Sequence, residues 1–225
     1  MTTHPTTFEN IRCAAAALAS VVVRTPVLDN ADVNTLLGGR LLLKAENFQR
    51  TGAFKIRGAY NLILNLGPEE RARGTVSYSS GNHALGMARA AKMLGTSAII
   101  VMPSDASAAK MAATRALGAV VVTFDRDTKR SADVVAQIQS QTGRIEVPPS
   151  AHGQVLAGGV TASDSDVRAA MRFAFGHFKI MIEQGGVVGL AAVLNGLVNI
   201  TDRVVATVIT TVITGGYIDT HRFSH

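Results

Sequence analysis

Tryptophan is missing from this sequence, aromatic residues make up only 5% of it, and cysteine occurs once, as Cys13. A lone cysteine excludes an internal disulfide and fits a reducing cytoplasm. Charge is scarce at 17%, and the 22 basic residues that outnumber 16 acidic ones are scattered rather than run together. Without an arginine-rich tract or aromatics interleaved with cations, the net +6 does not make a nucleic-acid footprint. No apolar run approaches the roughly 18 residues of a membrane span. A soluble chain is expected, with neither nucleic acid nor membrane as partner. "CAAAALASVVV", Cys13 to Val23, imitates the core of an export signal. Only Arg12 precedes it as a positive charge and Glu9 dilutes that, so a small amphipathic helix is the better reading.

What is present is alanine, valine and glycine within a hydrophobic content of 47%, the composition of a folded protein with helices packed on sheet. "RLLLKAE" reads as a strand and "FKIRGAYNLILNLG" as a helix with Ile56, Ala59, Tyr60 and Ile63 on its apolar face. "GPEERARG" reads as a turn. From Gly74 to Gly143, strands "TVSYSS", "SAIIVM" and "AVVVTF" alternate with helices "ALGMARAAKMLG", "SAAKMAATRALG" and "TKRSADVVAQIQSQTG". Nearly continuous apolar strands alternating with helices predict a parallel sheet covered by helices. Beyond Arg144 the rhythm is lost. A helix is expected in "SDSDVRAAMRFAFGHF", capped by Asp164 or Ser165 with Asp166 in its first turn. A strand follows in "KIMIE", a helix in "GGVVGLAAVLNGL", and a strand in "RVVATVITTVITGG", where "TVIT" occurs twice in tandem. An insertion of four residues preserves the facing of a strand.

Three places carry candidate chemistry. Lys55 stands between Phe54 and Ile56 where an apolar helix begins. It is either a lysine whose stem covers the core while its ammonium reaches water, or an amine desolvated enough to lower its pKa, as a nucleophilic lysine requires. In "SYSSGNHALG" a strand feeds a loop that opens a helix, pointing backbone N–H groups and the positive end of the helix dipole outward. Ser79, Ser80, Asn82 and His83 add hydroxyl, amide and imidazole groups there, although Ser or Asn at such a point also serves simply as a cap. In "VITGGYID", Thr214 ends a strand just before Gly215 and Gly216.

Together these segments resemble a known family. "NFQRTGAFKIRGAYN", "SSGNHALGMARAAKMLG" and "VMPSDASAAKMAATRALGAVVV" are similar to the threonine/serine dehydratases, fold-type-II pyridoxal phosphate enzymes that include serine racemase. Weaker matches, "EVPPSAHGQVLAGGVTA", "KIMIEQGGVVGLAAVLNG" and "VITGGYID", follow in the family's order. The resemblance implies pyridoxal 5'-phosphate as cofactor. It matches Lys55 to the lysine that bonds covalently to the cofactor aldehyde, Asn82 to the amide that binds the ring oxygen, and Thr214 to the hydroxyl at the pyridine nitrogen. Glu183 matches a carboxylate near the ring, with Phe54 and Gly215 as further cofactor contacts. Ser80 matches a hydroxyl on the opposite ring face, which exchanges the substrate α-proton in racemase-like members. Ser79, Ser80, Gly81 and His83 match the loop that holds substrate carboxylate. No metal ligands are implied in the residues present.

The same resemblance implies an α/β architecture of two domains with parallel sheets flanked by helices, like the β subunit of tryptophan synthase. The small domain would span residues 52–144, and the larger would be assembled from 1–51 and 145–225. The larger is truncated, because the text passes at Ala162–Ser163 from a segment before the middle of the family's chain to one near its end. The missing piece would carry a run of four glycines that cradles the cofactor phosphate, and acidic residues that bind a divalent cation in some members. No glycine run longer than two exists here. Gln184 stands where proline is usual, and Gly159 interrupts the usual "GQGT". The implied activity is β-elimination of water from L-threonine or L-serine, giving a 2-oxo acid and ammonia, in a cytoplasmic homo-oligomer. The alternatives are an internally deleted, non-catalytic remnant that binds the cofactor weakly or associates with an intact paralogue, and a racemase-like or hydroxyectoine-pathway dehydratase.

Overall fold

The computed structural model describes residues 8–149 and 163–209. In chain order the elements are α1 (Phe8–Leu18), β1 (Val27–Asp29), α2 (Ala31–Leu37), β2 (Arg40–Ala45), α3 (Lys55–Leu64), α4 (Pro68–Arg73), β3 (Thr75–Tyr78), α5 (Asn82–Met93), β4 (Ala98–Pro103), α6 (Ala108–Ala116), β5 (Val120–Phe124), α7 (Ser131–Thr142), β6 (Ile145–Glu146), α8 (Asp164–Phe178), α9 (Val188–Leu194) and β7 (Val204–Ile209). They divide into two compact units. One holds the described residues up to Val23 together with Lys55–Pro149; the other holds Arg24–Phe54 and the described residues from 163 onward.

The first unit is built on a four-stranded sheet in the order β5-β4-β3-β6, parallel throughout. Helices on both faces explain why β4 reads as a continuous apolar run, since successive side chains of a strand point to opposite faces. Ala98, Ile100 and Met102 of β4 pack with Ala59 and Ile63 of α3 and Ala84 and Met87 of α5. Val101, between them, joins Val76 of β3 and Val134 and Val135 of α7 in a separate cluster. Ile63, Met87, Ile100 and Met102 are fully buried, and each contributes about 1.5–3 kcal/mol of transfer free energy.

The second unit has a three-stranded sheet in the order β1-β2-β7. Strand β2 runs parallel to β7 with Arg40 opposite Val204, while β1 joins as an antiparallel edge. Leu41, Leu43 and Ala45 form the inward face of β2 and meet Ala170 and Ala174 of α8 and Leu190 and Ala191 of α9. No helix among the described residues is long and apolar enough to cross a membrane.

Several local expectations are corrected. The "GPEERARG" turn is a short helix, with Pro68 at its start and Gly67 N donating to Glu70 Oε2 at 2.9 Å. Helix α8 is capped by Ser163, not by Asp164 or Ser165. Ser163 Oγ accepts from Asp166 N at 3.2 Å and Ser163 N donates to the Asp166 carboxylate at 3.1 Å, a reciprocal capping box. "KIMIE" is not a strand. Ile180 and Ile182 are buried on either side of exposed Met181, so the alternation reports burial against the core rather than ladder pairing. Residues 8–23, expected in the larger domain, group with the smaller because α1 packs on α3 and Arg57 Nη2 donates to Val23 O at 3.4 Å. The tandem "TVIT" extends into residues outside those described.

Candidate functional site

Lys55 opens α3 directly after a tight turn in which Thr51 (φ 67°) and Gly52 (φ 71°) are both left-handed. A β-branched residue in that conformation costs about 1–2 kcal/mol. Helix α5 then lies hard against the first turn of α3. A Cβ placed on Gly86 would stand 3.0 Å from both Lys55 C and Ile56 N. Glycine at 86 therefore lets the helix that begins at Asn82 share a wall with Lys55.

The Lys55 amine is half-buried and Nζ donates to the carbonyl of Pro149 at 2.8 Å. Burial holds its pKa below the ordinary lysine value. Across the α3–α5 contact, His83 is 6% exposed. Its Nε2 lies 3.1 Å from Ser77 Oγ and 3.2 Å from Val147 O. Ser77 Oγ donates its single proton to Val147 O at 2.6 Å, so the proton between imidazole and serine resides on Nε2. Burial pushes His83 below the usual imidazole range; its bond to Val147 pulls the other way, and the nearby Lys55 charge adds to the depression.

Ahead of α5, Ser79 N donates to Val101 O at 3.1 Å and Ser79 Oγ accepts from Gly81 N at 3.2 Å, while Ser80 is exposed. These two serines rim a cavity of about 380 Å³ at the C-terminal ends of β3, β4 and β5, the end of a parallel sheet where ligands bind. Arg126, Lys129 and Arg130 line its other side. Arg126 pairs with Asp105 and Arg130 with Asp133, both at 2.8 Å.

Of the residues singled out in the sequence, Lys55, Ser79, Ser80, Gly81, Asn82 and His83 fall in the first unit. Lys55 and His83 meet through the segment 147–149, with the His83 imidazole engaged inside the fold. Phe54, 41% exposed, ends the first segment of the second unit. Glu183 is also in that unit, half-buried at the start of the single turn Gln184–Gly186. Thr214 and Gly215 lie outside the described residues. Among the described residues no three His, Cys, Asp or Glu side chains gather as a metal site. Sequence reasoning passed over Ser77, Gly86 and the cations after β5. Ser77 carried no signal of its own, since Thr75 is a second polar residue buried in the same short strand. The cations carried one, three of them within residues 126–130 just beyond a strand end.

The family described as "Pyridoxal-phosphate dependent enzyme" matches residues 18–162, and the match ends where the sequence suggests an internal gap. The L-threo-3-hydroxyaspartate ammonia-lyase of Saccharomyces cerevisiae is 40% identical over 157 residues, 70% of this chain and 48% of that protein. The L-threonine ammonia-lyase of Thermotoga maritima is 43% identical over 152 residues, 68% of this chain and 38% of that one. The chain thus spans less than half the length of these curated relatives. The structure of maize serine racemase superposes with a TM-score of 0.84 at 22% identity, covering 99% of this chain and 98% of that chain, a likeness of fold.

Proposed function

The chain belongs to the pyridoxal-phosphate dependent enzymes, and we propose that within that family it is an ammonia-lyase of 3-hydroxy amino acids, acting on L-threonine or L-serine. The observation that carries this reading is the Lys55 amine, half-buried, drawn below the ordinary lysine pKa and set beside the helix that starts at Asn82. These residues fit the aldehyde end of pyridoxal phosphate: a partly desolvated primary amine has a larger neutral fraction than an exposed one, and it is the neutral amine that reacts with a carbonyl. When bound, the cofactor supplies the electron withdrawal that acidifies the substrate Cα–H. Lys55 would hold it through Nζ, with Asn82 against the ring.

The chain's own residues then do the rest. Freed Lys55 Nζ takes the Cα proton as general base. The β-hydroxyl would leave Cβ as water, carrying the proton that Lys55 took, and one water would hydrolyse the released enamine, through its imine, to ammonia and the 2-oxo acid, so that threonine would give 2-oxobutanoate and ammonia. Ser79 and the N–H groups at the start of α5 would orient the substrate carboxylate. The chain would work in the cytoplasm as a homo-oligomer, since a shortened larger domain leaves strand edges for another copy to cover.

One observation favours a second reading, a weakly binding remnant. No glycine run longer than two is present to cradle a phosphate of charge near −2. Formation of 2-oxo acid from L-threonine, L-serine and L-threo-3-hydroxyaspartate, with pyridoxal phosphate added, separates the two. Turnover that Lys55→Ala abolishes supports the lyase. No turnover on any of the three at saturating cofactor leaves the remnant.

A further inference from the structure

The carbonyl that receives the Lys55 amine belongs to a short piece of backbone, and a buried serine holds that piece in place. Ser77 has no solvent exposure. Its Oγ donates to Val147 O at 2.6 Å, and His83 Nε2 lies within reach of both partners, at 3.1 Å and 3.2 Å. Val147 N in turn donates to Val76 O at 2.9 Å, so Val147 is tied at both its backbone groups. Two residues on, Pro149 O accepts from Lys55 Nζ. The intervening Pro148, like Pro149 itself, has its φ locked near −65°, so the Pro149 carbonyl has little freedom once Val147 is fixed.

A hydroxyl at a fully buried strand position is costly unless it is bonded, and here its bonds converge on the one carbonyl that controls the segment. We propose that Ser77 is a positioning residue for Lys55, clamping Val147 together with His83 so that the Pro149 carbonyl is presented to the lysine amine. This rests on the reading of Lys55 as the cofactor-bonding amine. Loss of the clamp would release the segment 147–149, admit water to Lys55, and return the amine toward an ordinary lysine. The Lys55 charge reaches His83 of α5 across the helix contact, and His83 stays in place in every variant below.

The test uses cofactor-free protein. Amines are acylated over a neutral-to-alkaline pH series, and the Lys55 peptide is followed by mass spectrometry with exposed Lys92 of the same protein as reference. In the wild type the Lys55 labelling midpoint should fall below that of Lys92. In Ser77→Ala, and in Ser77→Cys, which fills the volume but donates far more weakly, it should shift upward. Ser77→Thr, which keeps the hydroxyl, should restore the wild-type midpoint. If Ala fails to fold, Cys decides. Folded Ala or Cys variants with the wild-type midpoint, or a Thr variant that shifts with them, would overturn the proposal. Should wild-type Lys55 titrate as expected and yet form no adduct with the cofactor, the proposed function falls while the Ser77 comparison still upholds this inference.

Discussion

Lys55 and Pro149 are 94 positions apart in the chain, yet the amine of one donates to the carbonyl of the other at 2.8 Å. A backbone acceptor fixes the direction of the amine without adding a counter-charge, so burial is free to depress its pKa. A carboxylate in the same place would raise it and keep the lysine protonated.

Gly86 is the residue that brings α5 onto Lys55. Gly86→Ala should gain about 1 kcal/mol of helix propensity and lose about 1–3 kcal/mol to overpacking against the backbone of Lys55 and Ile56. Gly58→Ala, in α3, meets nothing within 4 Å and should keep the propensity gain. Urea unfolding is expected to give opposite signs for the two. Equal stabilisation by both would mean that the α3–α5 approach is looser than described.

His83 gives the fold an acid limb. Its pKa in the folded state lies below the ordinary 6.5, so between those two values the unfolded chain binds more protons than the folded one. Stability therefore falls as pH drops through 6.5 toward the folded-state value, and below that no further loss comes from this group. His83→Asn should flatten this portion of the stability–pH curve measured by urea midpoint. An undiminished slope would assign the acid limb to other groups.

Ser80 divides elimination from racemisation. It is exposed beside a loop whose other hydroxyl, on Ser79, is engaged with Gly81 N. If Ser80 exchanges the α-proton on the face opposite Lys55, Ser80→Ala should lower formation of D-serine from L-serine by a factor of about 100 or more, the scale of one general acid–base group. Formation of pyruvate from L-serine should change far less. Equal losses in chiral chromatography and in the 2-oxo acid assay would remove that role.

The fold was legible where short, largely apolar runs alternate with helical periodicity. The strands at Thr75–Tyr78, Ala98–Pro103 and Val120–Phe124 and their helices follow from that rhythm. It was misread at Lys179–Glu183, because an irregular segment with every second residue buried has the same period as a strand. Lys55 and the loop Ser79–His83 were legible through side chains of distinctive chemistry. The support behind them was not. The acceptors at Val147 and Pro149 are backbone carbonyls, which no residue type announces, and a single serine in a strand reads as ordinary composition. Nothing in the sequence marks Gly86, because the Lys55–Ile56 backbone it faces is brought to it only by the fold.

The central claim is that Lys55 bonds to pyridoxal phosphate. It is tested most directly by adding the cofactor to the purified full chain, reducing with borohydride, and mapping the mass increase by peptide. The expected result is one phosphopyridoxyl group on the peptide that contains Lys55, absent in Lys55→Ala. No adduct at saturating cofactor, or adducts spread over exposed lysines with Lys55 unmodified, would contradict the account.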